Sequence, residues 1–440
     1  MRDYLVIALV LASLPVGLFR PFYGLLVYAW ISYMYPQELA WTFAQTFPVA
    51  KLSALSVIGG LLFSPSGNFA AIRQRENIAM LVLWATFTLS SVFAIYPDRA
   101  WPHWQDSSKL IVMSLLASMM LVDRTRLRLF LLVIAFSLGF YGFKGGLFGL
   151  ATGGSQQVLG PGDSIIGANN NIGLALNMCL PMLWYLAYEE QGWIRRALQV
   201  TFFLTIPAIM FTYSRASTIA MAALLLIIML KSRQRFVLMF ALLVAGFVAL
   251  PFIPQKWLDR QASTLEYEED GSAMSRLDNW KFCWTVATDR PITGAGFDFQ
   301  SRETFAKYAP DFLIKYGGKV WDTHNILFGI LTSHGFPGFF AFVGMILMCL
   351  LSCSRLKKAV HNREDLKWVK TYAEMVQLSF LALLINGMFV NMEYYDLVYH
   401  WIAVVATMKV IVSRELFSEQ ESDYPYDLRV PAAAAMGYRQ

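Results

Sequence analysis

Charge is what this chain has least of. Only 15% of its 440 residues are Asp, Glu, Lys or Arg, against about 25% in a soluble protein. With 57% hydrophobic residues and a mean hydropathy of +0.47, a soluble multidomain protein, a disordered chain, a collagen and a coiled coil are excluded. Cysteine is nearly missing. Of Cys179, Cys283, Cys349 and Cys353, only Cys283 lies in a polar region, and their spacing builds neither a disulfide framework nor a zinc site. No His, Cys, Asp or Glu cluster has metal-ligand spacing, so neither a metal nor another cofactor is expected. Soluble-enzyme signatures such as Walker A, GxSxG and HExxH are absent. So is any visible internal repeat, which weakens a transporter reading, since many transporters are built from repeats.

What the chain does have is long apolar runs. They fall near 4–19, 21–36, 50–63, 77–95, 108–122, 127–143, 170–188, 196–213, 216–230, 236–253, 325–352, 370–390 and 398–413. Many have the ~17–20 residues a helix needs to cross a bilayer, which predicts an all-α polytopic membrane protein of about twelve spans. A transmembrane β-barrel is excluded, because its strands would alternate in polarity. The apolar N-terminus lacks a clear small-residue cleavage site and reads as a retained segment.

Lys and Arg mark the cytoplasmic side. Basic clusters sit at Arg73/Arg75, Arg124/Arg126/Arg128, Arg195/Arg196, Lys231/Arg233/Arg235 and Arg355/Lys357/Lys358/Arg363. Each gap between clusters holds two apolar runs, so the chain goes out and returns every time. The net charge of +6 is thereby mostly topological, and no nucleic-acid partner is expected. The segments 96–107, 144–169, 254–323 and 391–397, with the short junction 214–215, face the far side. Three runs in residues 1–64 break this parity if both termini are cytoplasmic, so one of them is expected to be re-entrant or interfacial. The expected organisation is 1–64 of open topology, spans over 65–253, one large periplasmic loop at 254–323, spans over 324–413, and a cytoplasmic tail at 414–440. The large loop carries nine Lys/Arg against eleven Asp/Glu. Its stretch Ser272–Asp289 predicts a helix capped by Ser272, ended by Arg290-Pro291, with Leu277, Trp280, Trp284 and Val286–Ala287 on its apolar face.

A few charges are left over once topology is satisfied. Arg215, in Tyr213-Ser214-Arg215-Ala216-Ser217, sits at an outward junction of two runs, where an ionisable group is costly and faces a cavity or a partner. The plainer reading is a snorkelling interfacial arginine. Arg276 and Arg290 lie in the large loop, and a guanidinium fork suits phosphate. Each is equally readable as a surface ion pair; Arg290 as a cation at a helix end, and Arg276 as stacked on Trp280. His324 lies where the outward loop re-enters the membrane, and histidine is suited to take a proton from a hydroxyl near neutral pH. His334, inside an apolar run, reads as packed and hydrogen-bonded; His103, His361 and His400 lack His324's setting. Asn169-Asn170-Asn171 opens a helix, either as caps or as amides bonding a sugar or phosphate. Glu393-Tyr394-Tyr395-Asp396 reads as ordinary interfacial belt.

The order of these features resembles the O-antigen ligase and polymerase superfamily of polytopic membrane glycosyltransferases. The resemblance runs from Ser214-Arg215, through Ser275-Arg276 with Trp280 and Asp289-Arg290-Pro291-Ile292-Thr293-Gly294-Ala295-Gly296, to His324-Asn325 and His334-Gly335-Phe336-Pro337-Gly338. It covers residues 140 to 355. Outside that core, Met1-Arg2-Asp3, Pro21-Phe22, Met34-Tyr35-Pro36, Lys144-Gly145-Gly146, Gly153-Gly154 and Gly160-Pro161 are similar to the exosortase-associated O-glycosylation ligase branch. Two positions depart from that branch. Ala168 stands where an acidic residue is usual, and Thr323-His324-Asn325 stands where Ala-His-Ser is usual.

The resemblance implies transfer of a glycan from an undecaprenyl-diphosphate carrier to an acceptor hydroxyl, on a lipid A–core sugar or a protein Ser/Thr, at the periplasmic side of the bacterial inner membrane. Arg215, Arg276 and, more weakly, Arg290 would bind the diphosphate, and His324 would be the general base. Asn170, Asn171, Asn325 and Trp280 would be substrate contacts, with membrane lipids as the remaining partners. Competing readings are a polysaccharide polymerase of the same superfamily, a transporter or flippase of lipid-linked glycans, and a non-catalytic membrane scaffold.

Overall fold

Every apolar run within the described residues folds as a helix. The computed structural model describes residues 2–63, 67–231, 236 and 271–422. The run expected at 236–253, the part of the large loop at 254–270, Arg233, Arg235 and the tail beyond 422 lie outside the described residues. Among the described residues there are sixteen α-helices and no strand. They are α1 (Arg2–Phe19), α2 (Pro21–Met34), α3 (Val49–Phe63), α4 (Phe69–Ile72), α5 (Arg75–Val92), α6 (Pro97–Met120), α7 (Arg124–Ala151) and α8 (Asn169–Glu189). There follow α9 (Gly192–Met210), α10 (Arg215–Lys231), α11 (Gly271–Asp289), α12 (Arg302–Tyr308), α13 (Pro310–Lys315), α14 (Ile326–Ala359), α15 (Lys367–Gly387) and α16 (Asp396–Ser422). Five of them are long and apolar enough to cross a membrane: α1, α7, α14, α15 and the Asp396–Leu416 part of α16. The chain is a multi-pass membrane protein.

The two ends of the helix bundle differ in chemistry. At one end Arg124 pairs with Glu189 at 2.8 Å, Arg128 grips Glu190 through two guanidinium nitrogens, and Lys231 lies 3.8 Å from Glu374. There, too, the Lys409 ammonium donates to both oxygens of buried Glu76, at 2.9 and 3.0 Å, while Ser352 Oγ donates to the same carboxylate. These pairs join the starts of α5, α7 and α15 to the ends of α8, α10, α14 and α16. The basic clusters at Arg124/Arg128 and Lys231 thus share one end of the bundle.

The first three helices run successively antiparallel to one another. Asp3 accepts from Thr42 N, Thr42 Oγ1 and Ala44 N, which pins the start of α1 to the α2–α3 connection. Glu38 in that connection accepts from Asp163 N, so both belong to the end of the bundle that carries the glycine-rich stretch. The other end of α1 places Gly17 against Ser56 and Gly60 of α3. Helix α1 therefore starts at the end of the bundle that carries the glycine-rich stretch.

Helix α7 runs eight residues further than its apolar run suggested, through Lys144 to Ala151, where a loop was expected. Glycines explain it. Gly139, Gly142, Gly146 and Gly149 line one face, and a Cβ on Gly146 would stand 2.0 Å from the Leu204 carbonyl oxygen of α9. Small residues at this spacing let two backbones approach closely, the usual device where lipid supplies no hydrophobic drive.

The large loop has its own small core, in which Phe282, Phe299, Phe305 and Phe312 pack with Cys283 and Val286. The expected helix is α11, ending at Asp289 as anticipated; the Ser272 side chain lies outside the described residues. Its inward face is the expected one in part. Val286 and Ala287 are buried as anticipated, Leu277 and Trp284 are exposed, and the buried row continues through Ser275, Asn279, Phe282 and Cys283. The helical spacing holds, but the row begins with two polar residues that a reading of hydrophobicity passes over.

Candidate functional site

Helix α14 breaks inside its apolar run. Gly335 has φ 66° and ψ −171°, two residues before Pro337. The break frees backbone groups that would otherwise bond within the helix, and the turn after α11 takes them up. Ala295 N donates to Thr332 O at 2.8 Å, Gly296 N to Ser333 O at 2.9 Å, and Phe336 N to Pro291 O at 2.8 Å. Neither side has room for a side chain. A Cβ on Gly294 (φ 65°) would lie 2.4 Å from Ser333 O, and one on Gly335 2.6 Å from Pro291 O. The two glycine motifs, distant in sequence, are the halves of one clamp. His334 closes it: Nδ1 lies 2.6 Å from Ser90 Oγ, and Nε2 2.7 Å from Tyr394 OH. It is the packed, hydrogen-bonded residue expected.

His324 sits just ahead of that helix, with φ 47°. Left-handed backbone is uncommon for a non-glycine residue and marks positions that the surroundings over-determine. Here the flanking residues are held on both sides. From α11, Asn279 Nδ2 donates to Asp322 O at 2.6 Å and Trp280 Nε1 to Thr323 O at 3.2 Å. From the α15–α16 turn, Asn391 Oδ1 accepts from Asn325 N at 2.9 Å, and Met388 O accepts from Asn325 Nδ2 at 3.3 Å. Asn325 Oδ1 caps α14 by accepting from Leu327 N and Phe328 N. The imidazole is half-buried. Burial lowers its pKa below the ordinary histidine value, the Arg276 charge adds to that, and the Asp322 carboxylate opposes it. The neutral, proton-accepting form is thereby favoured near neutral pH.

Arg276 and the helix that Arg215 opens approach the same turn. The Arg276 guanidinium lies 5.9 Å from the centre of the Phe389 ring. Arg215 is the first residue of α10, following Tyr213 at φ 57°, whose hydroxyl donates to Gly154 O. Two residues on, Ser217 Oγ lies 2.9 Å from both Ser214 Oγ and Asn386 Oδ1. The segment 386–391 therefore touches the elements that carry Arg215, Arg276 and His324. Sequence reasoning passed over it. Its Asn386 and Asn391 carry no charge, and the one available signal was amides at the end of an apolar run.

Other candidates occupy supporting positions. Arg290 stands apart from that turn; its Nε donates to Gly294 O at 2.6 Å and its fork reaches Phe93 O, bracing the glycine clamp against α5. Asn169 Nδ2 donates to Thr212 O and Asn171 Nδ2 to Ile165 O, which ties the start of α8 to the Arg215 junction. Among the described residues the Asn170 amide makes no hydrogen bond. Trp280, besides its bond to Thr323 O, stacks on Phe328 at 5.7 Å. Among the described residues, no group of three or more His, Cys, Asp or Glu could hold a metal ion.

Residues 200–343 match the family model described as O-antigen ligase. The chain carries an O-antigen ligase domain. This domain holds Arg215, Arg276, Arg290, His324, Asn325 and both halves of the glycine clamp, so the expected superfamily is borne out over the stretch that bears the motifs. The 386–391 turn lies beyond the O-antigen ligase match. Residues 1–190 match a second model, described as a family of unknown function. Neither match speaks to the exosortase-associated branch. No curated protein matches the chain.

Proposed function

We propose that the chain transfers a glycan from an undecaprenyl-diphosphate carrier to an acceptor hydroxyl at the periplasmic face of the inner membrane. The observation that carries this reading is the meeting, at the 386–391 turn, of the elements bearing His324, Arg276 and Arg215, all three residues within the O-antigen ligase match. In this reading the bundle makes about twelve spans, and the 254–323 loop stands on the periplasmic side with the site beneath it.

The acceptor hydroxyl gives its proton to the neutral His324 imidazole as its oxygen bonds to the anomeric carbon. The bond from that carbon to the diphosphate oxygen breaks, and the diphosphate leaves with the electron pair. Arg215 and Arg276 stabilise the charge gathering there, which fixed cations in a poorly hydrated site do well. Arg290, engaged with the Gly294 and Phe93 carbonyls, supports the site by keeping the clamp in shape. No divalent ion is needed, because the guanidinium groups supply the positive charge. A general base at this step contributes about 10²–10⁴-fold. One displacement inverts the anomeric centre.

The acceptor is a lipid A–core sugar or a protein Ser/Thr, and the same chemistry on a second lipid-linked glycan would make a polymerase. Purified full-length protein, given lipid-linked glycan and each acceptor in turn, separates these. His324→Ala and Arg215→Ala are expected to abolish transfer while membrane insertion and donor levels stay intact. His324→Asn is the sharper variant, since asparagine tolerates left-handed backbone; it should fold as the parent does and be inactive. Transfer retained in any of these removes that residue from the mechanism, and loss of donor delivery in its place favours a flippase.

A further inference from the structure

The turn that touches the elements of the proposed site also walls a cavity that the transfer chemistry leaves unused. Its volume is about 350 Å³, at the small end of the roughly 300–1,000 Å³ of ligand sites. Asp322, Glu393, Gln300, Asn391, Trp321 and His103 are in its wall. Asp322 belongs to the segment that carries His324, so the cavity adjoins the proposed base.

The lining decides what class of ligand fits. Among the described residues no Lys or Arg lines the cavity, and three carboxyl groups do, counting Asp298. A phosphate would meet repulsion there. A lipid tail would strip water from carboxyls and amides and give nothing back. Among the described residues the carboxyls form no metal-binding group. A neutral polyhydroxylated ring satisfies every part: carboxyls and amides for hydroxyls, and the Trp321 face for ring carbons.

Glu393 supplies the independent sign of an absent partner. It is 4% exposed, it forms part of the cavity wall, and its Oε2 has no hydrogen-bond partner among the described residues. Such a group costs stability unless a ligand completes it. Burial pushes its pKa up to about 8, with Asp322 adding to the rise, so near neutral pH the carboxyl keeps a proton to donate. The wall around it is fixed. Gln300 Nε2 and Asn391 Nδ2 both donate to Asp322 Oδ1, and Gly329 leaves the space that the Glu393 carboxyl fills.

We propose that this cavity is a subsite for one uncharged sugar ring, held by Glu393, Asp322 and Gln300 against Trp321, and that it presents that sugar to His324. The second half rests on the transfer reading; the first does not. Two sources share this chemistry, the acceptor sugar and the first sugar of the donor glycan.

The test uses the full-length protein in detergent, with Glu393→Leu and Gln300→Leu. In steady-state transfer each variant is expected to raise KM for one substrate about tenfold, the loss of one good hydrogen bond, with kcat within about threefold. A rise for the acceptor assigns the ring to the acceptor, and a rise for the donor to the donor glycan. A purely structural role would lower the melting temperature and leave both KM values in place, which would overturn the proposal. Binding is read separately by saturation-transfer NMR with methyl α-D-glucoside. Its signal is expected in the parent chain, undisturbed by inorganic pyrophosphate, and reduced at least fivefold in both variants. No signal in the parent, or undiminished signal in both variants, overturns the subsite. Full transfer by His324→Ala with the glycoside signal intact would sink the mechanism and leave the subsite standing.

Discussion

His324 combines two features that seldom meet, a strained backbone and a half-buried titratable ring. The strain costs about 1–3 kcal/mol for a non-glycine residue, and the bonds from Asn279, Trp280 and Asn391 to the flanking residues offset it. The charges around it set a pH dependence with a definite sign. Since its pKa is depressed, the acid limb of kcat/KM for transfer should have its midpoint below the ordinary histidine value of about 6.5. Arg276→Gln removes a cation that disfavours imidazolium, so it should move that midpoint upward besides slowing transfer; Arg276→Lys should leave it in place. A pH–rate profile of the three proteins checks this, and a midpoint unmoved in Arg276→Gln would show that the arginine does not act on the histidine. Arg215 and His324 were legible in the sequence because a charge or a histidine at a membrane edge conflicts with everything around it. Asn386 and Asn391 were not, because an amide carries no charge and each acts on a partner that only folding brings near. Glu393 was seen and set aside as interfacial belt, since burial, the property that singles it out, is invisible in sequence.

Among the elements, helices were legible and their faces and ends less so. Apart from α11, the apolar runs account for every long helix among the described residues, yet α7 outran its run because glycine, not hydrophobicity, shapes its contact with α9. Helix α11 was foreseen with its end at Asp289 and with Val286 and Ala287 inward, but not with Ser275 and Asn279 buried in place of Leu277 and Trp284. The glycine clamp was quoted as two separate motifs, and nothing in a one-dimensional pattern says that they touch. The clamp makes a direct prediction. Gly335→Ala places a Cβ 2.6 Å from Pro291 O at φ 66°, so it should destabilise the protein by about 1–3 kcal/mol or more. Transfer should fall with it, although Gly335 touches no substrate. Thermal unfolding in detergent reads the first effect, and a variant as stable as the parent would show that the break does not need glycine.

The molecule as a whole is polarised, with the pairs of Glu76, Glu189, Glu190 and Glu374 at one end and the loop core with its proposed site at the other. Charge parity anticipates two such ends for the chain after residue 64. It leaves the first three helices open, since their few charges do not say which of them cross a membrane. Glu76 with Lys409 is the most enclosed of the pairs described, the carboxylate being fully buried. Lys409→Met would strand that carboxylate and should cost about 3–5 kcal/mol. Glu76→Gln should cost less, because the Lys409 ammonium is partly exposed and keeps water. A melting-temperature comparison decides between them, and equal losses would mean that the pair acts through packing alone.

The break in α14 also bears on how the protein is made. Thr332 and Ser333 have their carbonyls satisfied by residues of the large loop and not by their own helix. In a bilayer, orphan carbonyls are costly. The loop emerges from the ribosome before α14 does, so it can already be in place to receive that helix as it inserts. Trimming the loop to a short linker would thus be no removal of an appendage, because the helix that follows would arrive with no one to meet it.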